Sequence, residues 1–210
     1  MTDLTNLPAD MTAEQFFDDI LYDILGDVDI PDNLGHERMQ FNVTGDDGGS
    51  YHIGMEFDDE EDDDVLTIEE GQTDSPPVAV TVSLEDFQHM LAGDLRDRFL
   101  DELGDAFLNP KLLKHAFLPD SVVQKIKSLS GNLQIRIEDK ESGDVYVATG
   151  TLGGDAPNID SPTCTVIIDV ATMLEIAQRK ADPQQLFMQG RIRIDGDMSI
   201  VLQLMGLLNG

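Results

Sequence analysis

Apolar residues from Met11 to Leu25 recur at helical spacing, with Phe16, Ile20, Leu21 and Ile24 on one stripe behind a capping Thr12, and they predict a helix. Gly26, Pro31 and Gly35 end it in a loop. The period then changes to two. Met39, Phe41 and Val43 alternate across Arg38 to Thr44, the turn GDDGG (Gly45 to Gly49) follows, and Tyr51 to Phe57 returns, so the pattern predicts a hairpin. Further strands are predicted at Val65 to Glu70 and Val78 to Ser83, with a helix at Leu84 to Leu91 that turns Leu84, Phe87 and Leu91 inward. A longer helix is predicted from Gly93 to Leu108 on the stripe Leu95, Phe99, Leu103, Phe107, and Asn109-Pro110 breaks it.

The same pattern then recurs. Short helices are predicted at Lys111 to Phe117 and Ser121 to Leu129. Leu133, Ile135 and Ile137 alternate inward across Asn132 to Glu138, DKESGD (Asp139 to Asp144) turns, and Val145 to Thr151 returns. Met39, Phe41 and Val43 thus match Leu133, Ile135 and Ile137 at an offset of 94. Asp74-Ser75-Pro76 matches Asp160-Ser161-Pro162 at an offset of 86, as Val82 matches Ile168 and Phe87 matches Met173. The eight residues between the offsets fall at the acidic run DDEEDDD (Asp58 to Asp64). Two related units in tandem are therefore expected, 1–108 and 109–210.

The second unit continues where the first does not. After the strand within Asp160 to Asp169 and the helix Val170 to Ala181, Asp182-Pro183 opens a short helix, since an acid can cap and proline suits the first turn. Arg191 to Ile194 gives a fifth strand, Asp195 to Met198 a turn, and Ser199 to Leu208 a helix apolar nearly all round. Such a helix is buried or covers something apolar. It is too short to cross a bilayer.

Residues 160–208 resemble the sterol carrier protein type 2 family in their order of elements. Pro183, the step Phe187-Met188-Gln189-Gly190 into a strand, and Met198 opening the last apolar helix carry the likeness, with the strand and helix of Thr165 to Ala177 before them. The resemblance implies an α+β fold: two sterol-carrier-like units, each a curved, mainly antiparallel sheet packed with helices, the first truncated. It further implies an apolar tunnel and no catalytic group. Met173, Ile176, Phe187, Met188, Met198, Val201, Leu202 and Met205 are the expected lining or lid. Several members carry glutamine where this chain has Met205, which removes one polar contact to a headgroup. The expected ligand is an apolar small molecule: a sterol, a fatty acid or a fatty acyl group. The alternative is a protein-interaction or scaffold module with a filled core, working through its acidic first unit.

Charge bears on partners. The 210 residues carry 42 acids and 13 Lys and Arg, a formal charge of −29. Nearly all of the excess precedes residue 96, where Arg38 is the one base. Such a surface repels nucleic acid and anionic membranes, because both are polyanions, and no nucleic-acid partner is expected. The acids read as solvation or salt adaptation, or else as a surface for a basic protein partner. No metal or other cofactor is expected. His36, His52, His89 and His115 lack ligand spacing, the acidic run has no glycine at the sixth position of a calcium loop, and no nucleophile elbow or phosphate loop occurs. One cysteine, Cys164, and no apolar leader or membrane-spanning run fit a cytoplasmic protein.

Overall fold

Alternating strands with one apolar side need helices on that side and something polar on the other. The structure, a computed structural model, describes residues 7–25, 37–58, 63–103 and 119–208. Its strands are β1 (Met39–Thr44), β2 (Gly49–Asp58), β3 (Asp63–Glu70), β4 (Val78–Ser83), β5 (Gly131–Glu138), β6 (Val145–Leu152), β7 (Cys164–Asp169) and β8 (Ile192–Gly196). Its helices are α1 (Leu21–Leu25), α2 (Leu84–Ala92), α3 (Asp94–Leu103), α4 (Asp120–Ile126), α5 (Val170–Ala177), α6 (Pro183–Met188) and α7 (Met198–Leu208). The helix predicted at Lys111 to Phe117 lies outside the described residues, as does the end of the one predicted to reach Leu108.

The fold is α+β, but the two sheets expected from the sequence are one. All eight strands join in the order β3-β2-β1-β4-β6-β5-β7-β8. β1–β4 and β5–β7 are parallel and every other pairing is antiparallel.

The registers obey the sequence offsets. Phe41 lies opposite Val80, and advancing the two by 94 and 86 gives Ile135 and Val166, which also lie opposite each other. The helix caps repeat in the same way. Ser83 Oγ accepts from the Asp86 N–H at 3.0 Å, and 86 residues on Asp169 Oδ1 accepts from the Thr172 N–H at 2.7 Å. On the polar side, Gln40 Oε1 accepts from the Thr73 N–H, and its counterpart Gln134 donates to the Ile159 carbonyl.

The joint between the halves is β4 with β6. Val78 to Val82 face Leu152 to Ala148. The counterpart residues on β7, Cys164 to Ile168, face Gly196 to Ile192 of β8. So β6 stands against β4 as β8 stands against β7, in the same register. Among the described residues the first half has no fifth strand of its own, and a strand of the second half occupies that edge.

At the start of the chain the expected helix forms with a wider turn. Thr12 and Gln15 exchange hydrogen bonds in a capping box, at 3.0 and 3.1 Å. The Leu21 N–H then reaches back five residues to the Phe16 carbonyl, a π-helical turn over Gln15–Ile20 that runs into α1. The turn rotates Phe17 into the core at 2% exposure, while Phe16 is only half-buried. Phe17 stacks on Tyr51 with centroids 4.4 Å apart, and Phe16 meets Phe87 edge-on at 5.2 Å. These rings close the apolar face of the first half. Tyr22 reaches the outer strand instead: its hydroxyl sits 3.1 Å from both the N and the carbonyl O of Ile68 on β3, which blunts that edge.

Glu69 and Glu70 stand on the same edge strand, and Arg38 and His52 both contact Glu69 at 2.8 Å. With so few bases, self-repulsion of the first half is screened mainly by salt. Raising potassium chloride from millimolar to molar is expected to lift the melting temperature by about 5 °C. An unchanged melting temperature would assign the acids to a basic partner instead.

Candidate functional site

The second half presents Leu133, Ile135 and Ile137 of β5 on the helix-covered face, beside Ala148 and Gly150 of β6 and Cys164, Val166 and Ile168 of β7. Two clusters of side chains roof this face. At one end Leu95 and Phe99 of α3 and Val170 of α5 pack on Ile137, Tyr146 and Ile168. At the other, Ile126 of α4 and Ile200 of α7 pack on Leu152 and Cys164, with Leu133 and Ile194 alongside. Four residue steps along the strand separate Leu133 from Ile137, a span of about 13 Å.

Ile135 lies between the clusters and belongs to neither. It is 43% exposed although it occupies an interior strand of an eight-stranded sheet. Its neighbour Gly150 opens the space further. A Cβ built there would meet only the Leu133 carbonyl oxygen, at 3.7 Å. The counterpart of Ile135 in the first half is Phe41, which lies 5.7 Å from the ring of Phe17. One half is filled at this position and the other is open.

Polar clamps tie the helices to the ends of the sheet. Arg191, on the step from α6 into β8, donates to both carboxylate oxygens of Glu175 at 2.7 and 2.8 Å and to Thr172 Oγ1 at 3.0 Å. The Arg191 hydrogen bonds hold the Glu175 carboxyl below its ordinary pKa. On α3, Arg98 pairs with Asp139 in the β5–β6 turn. Burial alone would raise the pKa of Asp139, but Arg98 and the Glu141 N–H at 2.9 Å outweigh it and keep the carboxyl below its usual range. Cys164 is fully buried, and burial pushes its thiol pKa up, which suits packing rather than nucleophilic chemistry.

The residues predicted to line the site are distributed unevenly. Met173 and Ile176 of α5 pack against the α3 cluster, and Val201 of α7 packs against the other. Phe187 and Met205 are half-buried. Met188, Leu202 and Met198 point largely outward, at 83%, 60% and 39% exposure. Met188 borders an open depression of about 650 Å³ with Asp182, Gln184, Gln185 and Gln189, so that one apolar residue stands among four polar ones. The floor residues Ala148, Gly150 and Val166 were absent from the predicted set, and Ile135 reads from sequence as ordinary core. One signal was available: a glycine inside a strand marks close approach or missing packing. Among the described residues no group of three or more His, Cys, Asp and Glu is placed to hold a metal ion, and no helix is long and apolar enough to cross a membrane.

A mixed sheet covered by helices on one face defines a single-sheet α+β fold. Residues 111–209 match the sequence profile described as the SCP-2 sterol transfer family, and they form a domain of that family. Sterol carrier protein 2 of Bos taurus is 28% identical over 95 residues, which cover 43% of this chain and 18% of that protein. The namesake of Oryctolagus cuniculus is 29% identical over 89 residues, covering 40% of this chain and 16% of the relative. The match thus spans less than a fifth of either relative. Among solved structures, sterol carrier protein 2-like 2 of Aedes aegypti aligns with 40% of this chain and 91% of its own, at 23% identity and a TM-score of 0.31. Sterol carrier protein 2 of Yarrowia lipolytica aligns with 56% of this chain and 88% of its own, at 17% identity and a TM-score of 0.33.

Proposed function

We propose that residues 109–210 hold a long-chain lipid, a sterol, fatty acid or fatty acyl group, in the space above Ile135, Ala148, Gly150 and Val166. The observation that carries this reading is the 43% exposure of Ile135 on an interior strand, where an isoleucine is ordinarily covered. Membership of residues 111–209 in the SCP-2 family supports it. Met173 and Ile176 would border the space on one side and Val201 on the other, with Phe187 and Met205 nearer its mouth. The protein's part is to remove an apolar chain from water, at about 0.8 kcal/mol for each methylene buried.

Residues 1–108 are proposed as a related unit that has lost its own ligand space. The matched registers and caps support the tandem, and the rings of Phe16, Phe17 and Phe87 fill the face that remains open in the second half. In this arrangement the first half braces the second through β4 and supplies most of the negative surface.

The test is uptake of a fluorescent fatty acid by the full chain, together with native mass spectrometry of the protein purified from its own source. Saturable uptake with a stoichiometry of one, or a co-purifying apolar molecule, is expected. Failure of both would leave the filled-core interaction module as the reading.

A further inference from the structure

An open sheet has two edges, and each presents backbone groups that another chain can pair with. At the β3 edge, Tyr22 occupies the N–H and the carbonyl of Ile68. At the other edge β8 pairs with β7 alone. The Asp197 N–H donates to the Thr163 carbonyl at 2.9 Å, one step beyond the pairing of Cys164 with Gly196. That bond sets the alternation along β8: Arg193 and Asp195 turn their backbone groups toward β7, and Ile192 and Ile194 turn theirs outward. Among the described residues no backbone hydrogen bond reaches the outward groups of Ile194.

The side chains of β8 add a charge pattern. Ile192 and Ile194 pack against the clusters under the helices, so Arg193 and Asp195 stand on the opposite face, and both are exposed. Arg193 reaches only Glu138, at 3.3 and 3.4 Å, a carboxylate that Arg136 also contacts at 3.4 Å. Among the described residues Asp195 forms no ion pair. Opposite charges two residues apart on one face of an edge strand are self-complementary. When two such strands run antiparallel about Ile194, Arg193 of each stands opposite Asp195 of the other. The two Ile194 residues then exchange N–H and carbonyl, and the Arg–Asp pairs fall at the closer spacing, with Cα atoms ~4.5 Å apart.

This edge is also where a second copy meets least repulsion. Nearly all of the negative excess precedes residue 96, and the strands of that part, β1 to β4, fill the far end of the sheet from β8. We propose that β8 is a self-association edge, at which two copies of the chain join about a two-fold axis through Ile194 into one continuous sheet. Tyr22 stops the β3 edge, so the assembly closes at two copies and does not grow into a fibre. The joint is small, a few backbone bonds and two exposed ion pairs, so the dimer is weak and exchanges with monomer.

The experiment is sedimentation equilibrium of the full chain as potassium chloride rises from ~0.01 to ~0.15 M, which shortens the Debye length from about 30 to about 8 Å. That screens the distant acidic halves from each other and leaves the contact pairs largely intact, so a monomer–dimer equilibrium is expected to tighten. Arg193→Asp and Asp195→Arg each set like charges opposite one another at both ends of the joint, and each should weaken association at least about tenfold. Mixed together, the two variants regain both opposite-charge pairs and should form a one-to-one complex about as tight as the unaltered dimer. Unchanged melting curves of the variants would show that folding is not the cause. A chain that stays monomeric at millimolar concentration in the higher salt overturns the proposal. So does a dimer that both variants leave intact, or a mixture that associates no better than either variant alone.

Discussion

Gly150→Phe is expected to abolish uptake of a fluorescent fatty acid, by at least tenfold, while the denaturant midpoint stays where it is or rises. The reasoning is geometric. A side chain at Gly150 leaves β6 on the apolar face, beside Leu133 and Val80, and its first atom meets one neighbour in ordinary contact. A phenylalanine there has good strand propensity and restricts the unfolded chain, which together contribute up to about 1 kcal/mol. It also takes the volume that an acyl chain would need. If the space were filled core, the same ring would overpack it and cost about 1–3 kcal/mol. The two measurements separate the readings. Unchanged uptake with an unchanged midpoint would show that the ligand lies elsewhere, and a lowered midpoint would show that there was no space. Gly150 is a sharper probe than Met205, because Met205 sits half-buried on α7, where contact with the helix's own packing confuses the outcome.

Separating the halves should have the largest effect on stability. Expressed alone, 1–108 exposes the edge of β4 that Ala148 to Leu152 cover, and 109–210 exposes the matching edge of β6. Thr149 and Thr151 on β6 are 0% and 1% exposed in the intact sheet. Each fragment is expected to self-associate through this edge, and neither should show a sharp melting transition. Mixed in equal amounts they should recover a one-to-one complex that melts cooperatively. The sequence alone predicts that 109–210 folds by itself while 1–108 aggregates or stays poorly ordered, and the shared sheet leads instead to the expectation that each half needs the other. A monomeric, cooperatively melting 109–210 would show that the β4–β6 pairing contributes little.

Much of this fold could be read from alternation. β1, β4 and β5, each with one apolar side, appear in the sequence within a residue or two of their observed ends, because side chains on a strand have a period of two, and β7 occupies the last six residues of the run Asp160 to Asp169. The tandem offsets were also legible, since Phe41 and Ile135 are both large, apolar and flanked by polar residues. What separates those two positions was not. Phe41 is covered by Phe17 only because a π-helical turn swings that ring inward, and helical spacing assumes no such turn. The β4–β6 pairing was hidden for a different reason. It joins residues about seventy apart, and nothing in either strand's pattern distinguishes one partner edge from another. The predicted site residues on α7 shared this weakness: an all-apolar helix gives no period from which to choose its inward side, and Leu202 proves to point outward.

The seam between β4 and β6 also sets a clock for biosynthesis. When Ser83 leaves the ribosome, β4 can pair at once with β1, but the strand that covers its other edge ends at Leu152. At ~5–20 residues per second the nascent chain carries that bare edge for roughly 3–15 s. At the start of this interval the part already made is the part in which Arg38 is the one base, so two such chains on neighbouring ribosomes repel each other as their edges first open. The concentration of acids in the first half is thus expected to hold nascent chains apart when the sheet is incomplete, whatever it does once the sheet has closed.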